Sequence, residues 1–279
     1  MTKKLRFYRR HAAVGVLSAA TVLAGCAAVQ TTGSGSVGVE RKQYMSGLVS
    51  EAALQQEAAQ QYTSMLSGAK AQGALDANSA QTQRVRAISQ RLIQHVAAFR
   101  PDAVNWKWEV HVLSSDDVNA WCMPGGKMAV YTGLISKIKP TDAELAAVLG
   151  HEMAHALREH SREQVSQQMA ANIGLSVLSA ITGSQATSDL GGALSEVMFT
   201  LPNSRTHELE ADRIGVELAA RAGYDPRAAI TLWQKMGALG GNGQPEFLST
   251  HPSAASRTAD LTAIAEQVMP LYRQAGGKD

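Results

Sequence analysis

Residues 151–155 read His-Glu-Met-Ala-His, and no other stretch constrains the chain as much. On an α-helix, residues four apart share a face, so both imidazoles can reach one metal ion. Glu152 is the next residue round and can touch a water beside that ion without being a ligand. Zinc lowers the pKa of such a water to about 7, and a carboxylate can then take its proton. The motif therefore predicts one Zn²⁺ per chain held by His151 and His155, with Glu152 as general base. Three fixed residues also arise by chance, so the rest of the chain must supply a third ligand and a suitable compartment.

The best third ligand lies in Ser204-Arg205-Thr206-His207-Glu208-Leu209-Glu210-Ala211-Asp212. Glu208 and Asp212 are four apart and share a helical face, whereas Glu210 points roughly away from both. Glu208 is the expected ligand, with Asp212 accepting a hydrogen bond from the second nitrogen of a ligand histidine. Glu210 is then expected to face solvent or to pair with Arg213 or another base, and its replacement by alanine to be close to neutral. His160, nine residues beyond His151, is expected to be exposed. His207 is rotated off the Glu208 face and is not expected to be a ligand.

Around these motifs the sequence reads as one α+β domain, mostly helical, with a small sheet ahead of the metal helix. Helices are expected over about 40–70 and 82–99, the latter with Val85, Ile88, Leu92, Ile93 and Val96 at helical spacing. Strands are expected at 106–113 and at 119–123 and 128–131, the last two as a hairpin about Pro124-Gly125-Gly126. Thr141 and Glu144 form a capping box opening the metal helix, which is expected to run to about Ile181. A loop is expected at 183–192, then helices from about Ser204 to Ala222, from Asp225-Pro226 onward, and from about Ser253 to Ala275. No internal repeat is present.

The N-terminus carries Lys3, Lys4, Arg6, Arg9 and Arg10, followed by a run of small and apolar residues from Ala12 to Gly25. At about 14 residues the run is short for a bilayer span, which needs about 20. It ends Leu23-Ala24-Gly25-Cys26, which resembles a bacterial lipobox. Residues 1–25 are thus expected to be a signal peptide, Cys26 the lipidated residue, 26–39 a Gly/Ser/Thr-rich flexible tether, and 40–279 the folded domain. The alternative is an ordinary secretory signal. Ala27 after the cysteine is not an aspartate, which by resemblance to enterobacterial sorting favours the outer membrane, facing the periplasm. The formal charge of +2 becomes −3 once the five signal cations are removed, so nucleic-acid binding has no support. Cys26 and Cys122 are the only cysteines; the fold is no disulfide scaffold, and Cys122 is expected to be a small half-buried side chain and not a nucleophile.

Several motifs run in order across roughly residues 85–260. They are Asn119-Ala120 with Pro124-Gly125-Gly126, Tyr131-Thr132-Gly133-Leu134, Gly150 before the histidine motif, Ser204-Arg205 with Glu208, Glu210-Ala211-Asp212, and Ser249-Thr250-His251-Pro252 with Arg257. Together they resemble the HtpX-like and prenyl-protease-like zinc metalloendopeptidases, a gluzincin family, and within it the periplasmic and mitochondrial quality-control branch that includes LoiP- and BepA-type proteases. The resemblance implies a zincin-like core and a small sheet whose edge strand lines the cleft and binds peptide in extended form; Met128, Ala129, Val130 and Tyr131 are the expected strand. It implies that His251 approaches the metal as a latch or a transition-state group, the alternative being an ordinary helix-entry histidine, and that Arg257 anchors its loop. It implies, as partners, unfolded or misassembled envelope proteins and an outer-membrane assembly machinery. The chain departs from integral-membrane members in having no transmembrane run after the signal, which argues against a prenyl-protease role. The rivals are a chaperone-like assembly factor in which peptide binding dominates cleavage, and a zinc amidase acting on cell wall.

Overall fold

A computed structural model describes residues 26–182, 189–239, 246–252 and 255–278. The capping box at Thr141 forms as expected. The Thr141 hydroxyl accepts from the Glu144 amide and the Glu144 carboxylate accepts from the Thr141 amide, opening helix α4 (Asp142–Leu157). Every residue of α4 from Glu144 to Leu157 is buried. A helix enclosed on all sides lies inside the core, so any polar side chain on it needs a partner there. This is the helix that carries His151, Glu152 and His155.

Helix α7 (Arg205–Arg221) starts at Ser204, whose hydroxyl accepts from the His207 amide. It crosses α4 where two glycines meet. A Cβ on Gly215 would stand 2.6 Å from the backbone nitrogen of His151, and one on Gly150 would stand 2.7 Å from the Gly215 carbonyl oxygen. The crossing is thus a backbone-to-backbone contact that only glycine permits, and it brings the ligand face of α7 against that of α4.

Beside α4 lies a three-stranded sheet in the order β3 (Glu109–Leu113), β5 (Lys127–Tyr131), β4 (Ala120–Met123). The expected hairpin is present. β4 and β5 pair antiparallel with Ala120 opposite Val130, through a turn in which Gly125 and Gly126 have φ of 78° and 81°. β5 also pairs parallel with β3, Glu109 opposite Lys127. Helices α1 (Glu51–Ala71), α2 (Ser79–Ile93), α3 (Thr132–Ile138), α5 (His160–Thr182), α6 (Leu190–Phe199), α8 (Ala228–Ala238), α9 (Glu246–Thr250) and α10 (Ala255–Gln274) surround this centre.

Four expectations need correction. Residues 27–39 are not a free tether: β1 (Cys26–Val29) pairs with β2 (Gln43–Ser46), Val37 and Val39 are buried, and the amides of Ser36 and Val37 donate to Glu217 Oε2. The small residues let the chain lie close, and the two valines anchor it. Residues 43–46 are strand, not helix; the helix begins after Ser50, whose hydroxyl accepts from the Ala53 amide. The long metal helix breaks at Glu159, which has φ of 53°, and α5 leaves in a new direction. Part of the expected 183–192 loop is helical, because Asp189 caps α6 by accepting from Gly191 and Gly192; residues 183–188 lie outside the described residues.

Gly215→Ala should lower stability by about 1–3 kcal/mol, the usual cost of forcing atoms into a filled contact. It should also weaken metal binding, because the two ligand helices must separate. Thermal unfolding and metal titration check this; an unchanged metal affinity would mean that the crossing does not set the site.

Candidate metal centre

His151, His155, Glu208 and His251 converge with one ligand atom each, all within 4.8 Å of one another, and all four residues are buried. His151 Nε2 is 3.1 Å from His155 Nε2 and 3.3 Å from His251 Nδ1, and His251 Nδ1 is 3.0 Å from Glu208 Oε1. His155 Nε2 lies 3.5 Å from Glu208 Oε1. A tetrahedral site with bonds of about 2.0–2.1 Å has ligand atoms roughly 3.3–3.4 Å apart. The donor set therefore fits a zinc ion in both chemistry and spacing. Lone pairs held this close on buried residues repel one another unless a cation or a shared proton lies between them.

Each ligand is oriented from behind. His151 Nδ1 donates to Asp212 Oδ1 at 3.0 Å, as expected from the four-residue spacing of Glu208 and Asp212. Arg257 holds Asp212 with Nε and Nη2, both at 2.7 Å, and reaches Glu208 Oε2 with Nη1 at 2.7 Å. It also donates to the Pro252 carbonyl, so it anchors the segment bearing His251. The Arg257 guanidinium lies over the Trp233 ring at 3.8 Å. His251 stacks on Phe247 with ring centroids 4.3 Å apart. Gly241-Asn242-Gly243-Gln244-Pro245, whose glycines predict a movable lead into His251, lies outside the described residues.

The electrostatics separate the two histidines. Burial lowers His151, but hydrogen bonds to Asp212 and Glu208 together outweigh it and raise its pKa to about 9. Burial dominates at His155 and lowers it to about 3. Burial would raise Glu208, yet His251, His151 and His155 around it hold it well below the usual carboxylate range. Glu152 is raised, chiefly by burial, and its Oε1 makes no hydrogen bond; His251 Nε2 is 3.5 Å away.

A cleft opens on this centre, walled by Ala120, Trp121 and Cys122 of β4, Glu152, His155, Val197, Met198 and His251. The strand expected here, Met128 to Tyr131, is the central one. Both edges of β5 are taken up by pairing, and Met128, Ala129 and Val130 are buried, so β4 is the strand that presents an edge to the cleft. Sequence reasoning could not see the parallel β3–β5 pairing that encloses β5.

It also missed His160, and of its alternatives for Glu210 the one that holds is pairing with a base other than Arg213. His160 is buried, with Nδ1 2.9 Å from His155 Nδ1 and Nε2 3.0 Å from Glu210 Oε2. The helix break at Glu159 turns it inward. Glu210 is buried among Arg41, Arg158 and His160, while Arg213 pairs with Asp260 instead. His207 is no ligand; its Nε2 lies 3.0 Å from Glu163 Oε2. Cys122 is fully packed, and burial pushes its thiol up. Among the described residues no helix is long and apolar enough to cross a membrane.

A buried His-Glu-x-x-His helix with a carboxylate donor from a second helix defines a zincin-like metallopeptidase centre. The chain belongs to peptidase family M48, whose profile matches residues 79–265. It is 39% identical over 182 residues to the mitochondrial metalloendopeptidase OMA1 of Arabidopsis thaliana, covering 64% of this chain and 36% of that protein. It is 36% identical over 177 residues to human OMA1, covering 59% of this chain and 33% of that protein. It is 30% identical over 207 residues to the beta-barrel assembly-enhancing protease of Escherichia coli, covering 69% of this chain and 40% of that protein. In each comparison the match spans less than half of the relative's length.

His155→Ala and Glu208→Ala should each abolish tight zinc binding, since each removes one of the three ligands, His151, His155 and Glu208, on which a catalytic zinc site depends. Glu210→Ala should not be neutral: it leaves Arg158 uncompensated in the core, at a cost of about 3–5 kcal/mol. Metal analysis beside thermal unfolding separates these outcomes; full zinc in either ligand variant would overturn the assignment.

Proposed function

We propose that this protein is a zinc metalloendopeptidase that hydrolyses misfolded or unassembled cell-envelope proteins. The observation that carries the reading is Glu152 on the cleft wall, buried, its Oε1 without a hydrogen bond, beside a complete zinc donor set. Bound here, zinc supplies a Lewis acid that polarises the scissile carbonyl and acidifies a water. Glu152 takes the proton of the attacking water, and its burial-raised pKa suits it to hand that proton to the leaving amine. The edge of β4 that lines the cleft pairs with an extended substrate through backbone hydrogen bonds, which tolerate many sequences and so suit unfolded chains. The envelope substrate class is supported by the similarity to the beta-barrel assembly-enhancing protease.

His251 stands in the donor set with its Nδ1, 3.3 Å from His151 Nε2 and 3.0 Å from Glu208 Oε1. In that position it takes the place a catalytic water needs, so the resting enzyme is latent and His251 is its latch. Glu152→Gln should keep zinc and fold but lose nearly all cleavage of an unfolded substrate such as casein. Near-normal turnover would remove Glu152 from the base role. Unaltered assembly function in that variant would favour the chaperone-like alternative. His251→Ala should raise proteolysis with zinc retained by the other three ligands; a fall of about 10²-fold would instead make His251 a transition-state donor.

Cys26 in its lipobox supports lipid anchoring at the outer membrane, facing the periplasm. Because β1 starts at Cys26, the domain would sit close against the bilayer. Cys26→Ser should abolish incorporation of labelled fatty acid and release the protein from the membrane fraction; a lipid-labelled variant would exclude this site.

A further inference from the structure

We infer that Arg41, Glu210 and His160 form a relay that positions the zinc ligand His155, so that a segment preceding the family match helps to build the metal centre. This rests on the metallopeptidase reading of the site. Proton placement leads to it. His155 turns Nε2 toward the other donors, 3.1 Å from His151 Nε2 and 3.5 Å from Glu208 Oε1. If that nitrogen is to offer a lone pair to a cation, the proton of the neutral ring sits on Nδ1. His160 Nδ1, at 2.9 Å, then accepts it. With Nδ1 accepting, the His160 proton sits on Nε2 and is donated to Glu210 Oε2 at 3.0 Å. The reverse order would aim an N–H of His155 into the cluster of donors. Glu210 sets the direction, because a carboxylate only accepts.

Glu210 is held in turn. Arg41 Nε donates to Glu210 Oε1 at 2.7 Å, and Arg158 donates to both its oxygens at 3.1 and 3.2 Å. Arg41 also grips Glu163 with two bonds of 2.8 Å, bridging α7 to α5. His160 stacks on His207 at 4.2 Å with the rings 10° from parallel, which fixes its plane. Arg41 lies on a segment fastened by Thr31 and Gln43, both donating to the Arg158 carbonyl. His151 is oriented differently, by Asp212 directly. The relay thus does for His155 what a carboxylate does for His151, with one imidazole interposed.

The test measures zinc affinity of the full chain by chelator competition, with the visible spectrum of the Co²⁺-substituted protein and thermal unfolding alongside. His160→Leu should weaken zinc by about 10–100-fold, the usual cost of losing a group that orients a ligand, and should alter the Co²⁺ bands. His160→Gln should restore most of the affinity, because its amide can accept from His155 and donate to Glu210. Arg41→Leu should weaken zinc in the same direction, and to a smaller extent than His160→Leu. If the leucine variants unfold more easily but bind zinc as tightly as the parent with the same Co²⁺ spectrum, the residues are structural only and the relay is wrong. Failure of the parent to bind zinc at all would instead overturn the metallopeptidase reading. ¹⁵N spectra of the metal-free parent give an arm independent of these variants: they should show His155 protonated on Nδ1, and protonation on Nε2 would overturn the relay.

Discussion

Three imidazole nitrogens and a carboxylate oxygen, all from buried residues, face one another across a few ångströms. Such an arrangement is unfavourable for the apoprotein and favourable for a cation, and the rest of the fold is arranged to hold it. α4 is enclosed on all sides, so its histidines cannot turn to solvent. The Gly150–Gly215 contact brings α7 close enough for Glu208 to complete the set. Trp233, Phe247 and Arg257 pack around the ligands from outside and restrict their rotamers.

What could be read in the sequence was local or periodic. The histidine pair, the capping box at Thr141 and the Glu208–Asp212 spacing each follow from one helix's geometry, and all three recur in the structure. What could not be read depended on partners far along the chain. β5 is central because β3 joins it in parallel, and no feature within 128–131 announces that neighbour. His160 points inward because the helix breaks at Glu159, although Leu157-Arg158-Glu159-His160 contains neither glycine nor proline. Val37 and Val39, alternating within a run of small polar residues, were a signal that the supposed tether carries buried anchors.

The two ends of the site differ in how they are assembled. The His151–Asp212–Arg257 side lies wholly within the region matched by the family, and its groups are joined by short direct bonds. The His155 side draws on α4, α5, α7 and the segment around Arg41, which precedes that region. Folding of the metal centre is therefore coupled to docking of the N-terminal segment.

Stability alone does not explain that second network. Arg158 is completely buried, Glu163 and Glu210 are buried near it, and the half-buried Arg41 bridges the two carboxylates. Two guanidinium groups and two carboxylates balance in charge, yet removing the three buried ones from water costs several kcal/mol each before pairing recovers it, and apolar residues of similar volume often stabilise a core as well or better. Apolar residues cannot accept a proton from His160, fix its tautomer, or hold the accepting oxygen in place. The network is better understood through direction than through strength: its charges determine which nitrogen of His155 carries the proton, and so which nitrogen faces the metal.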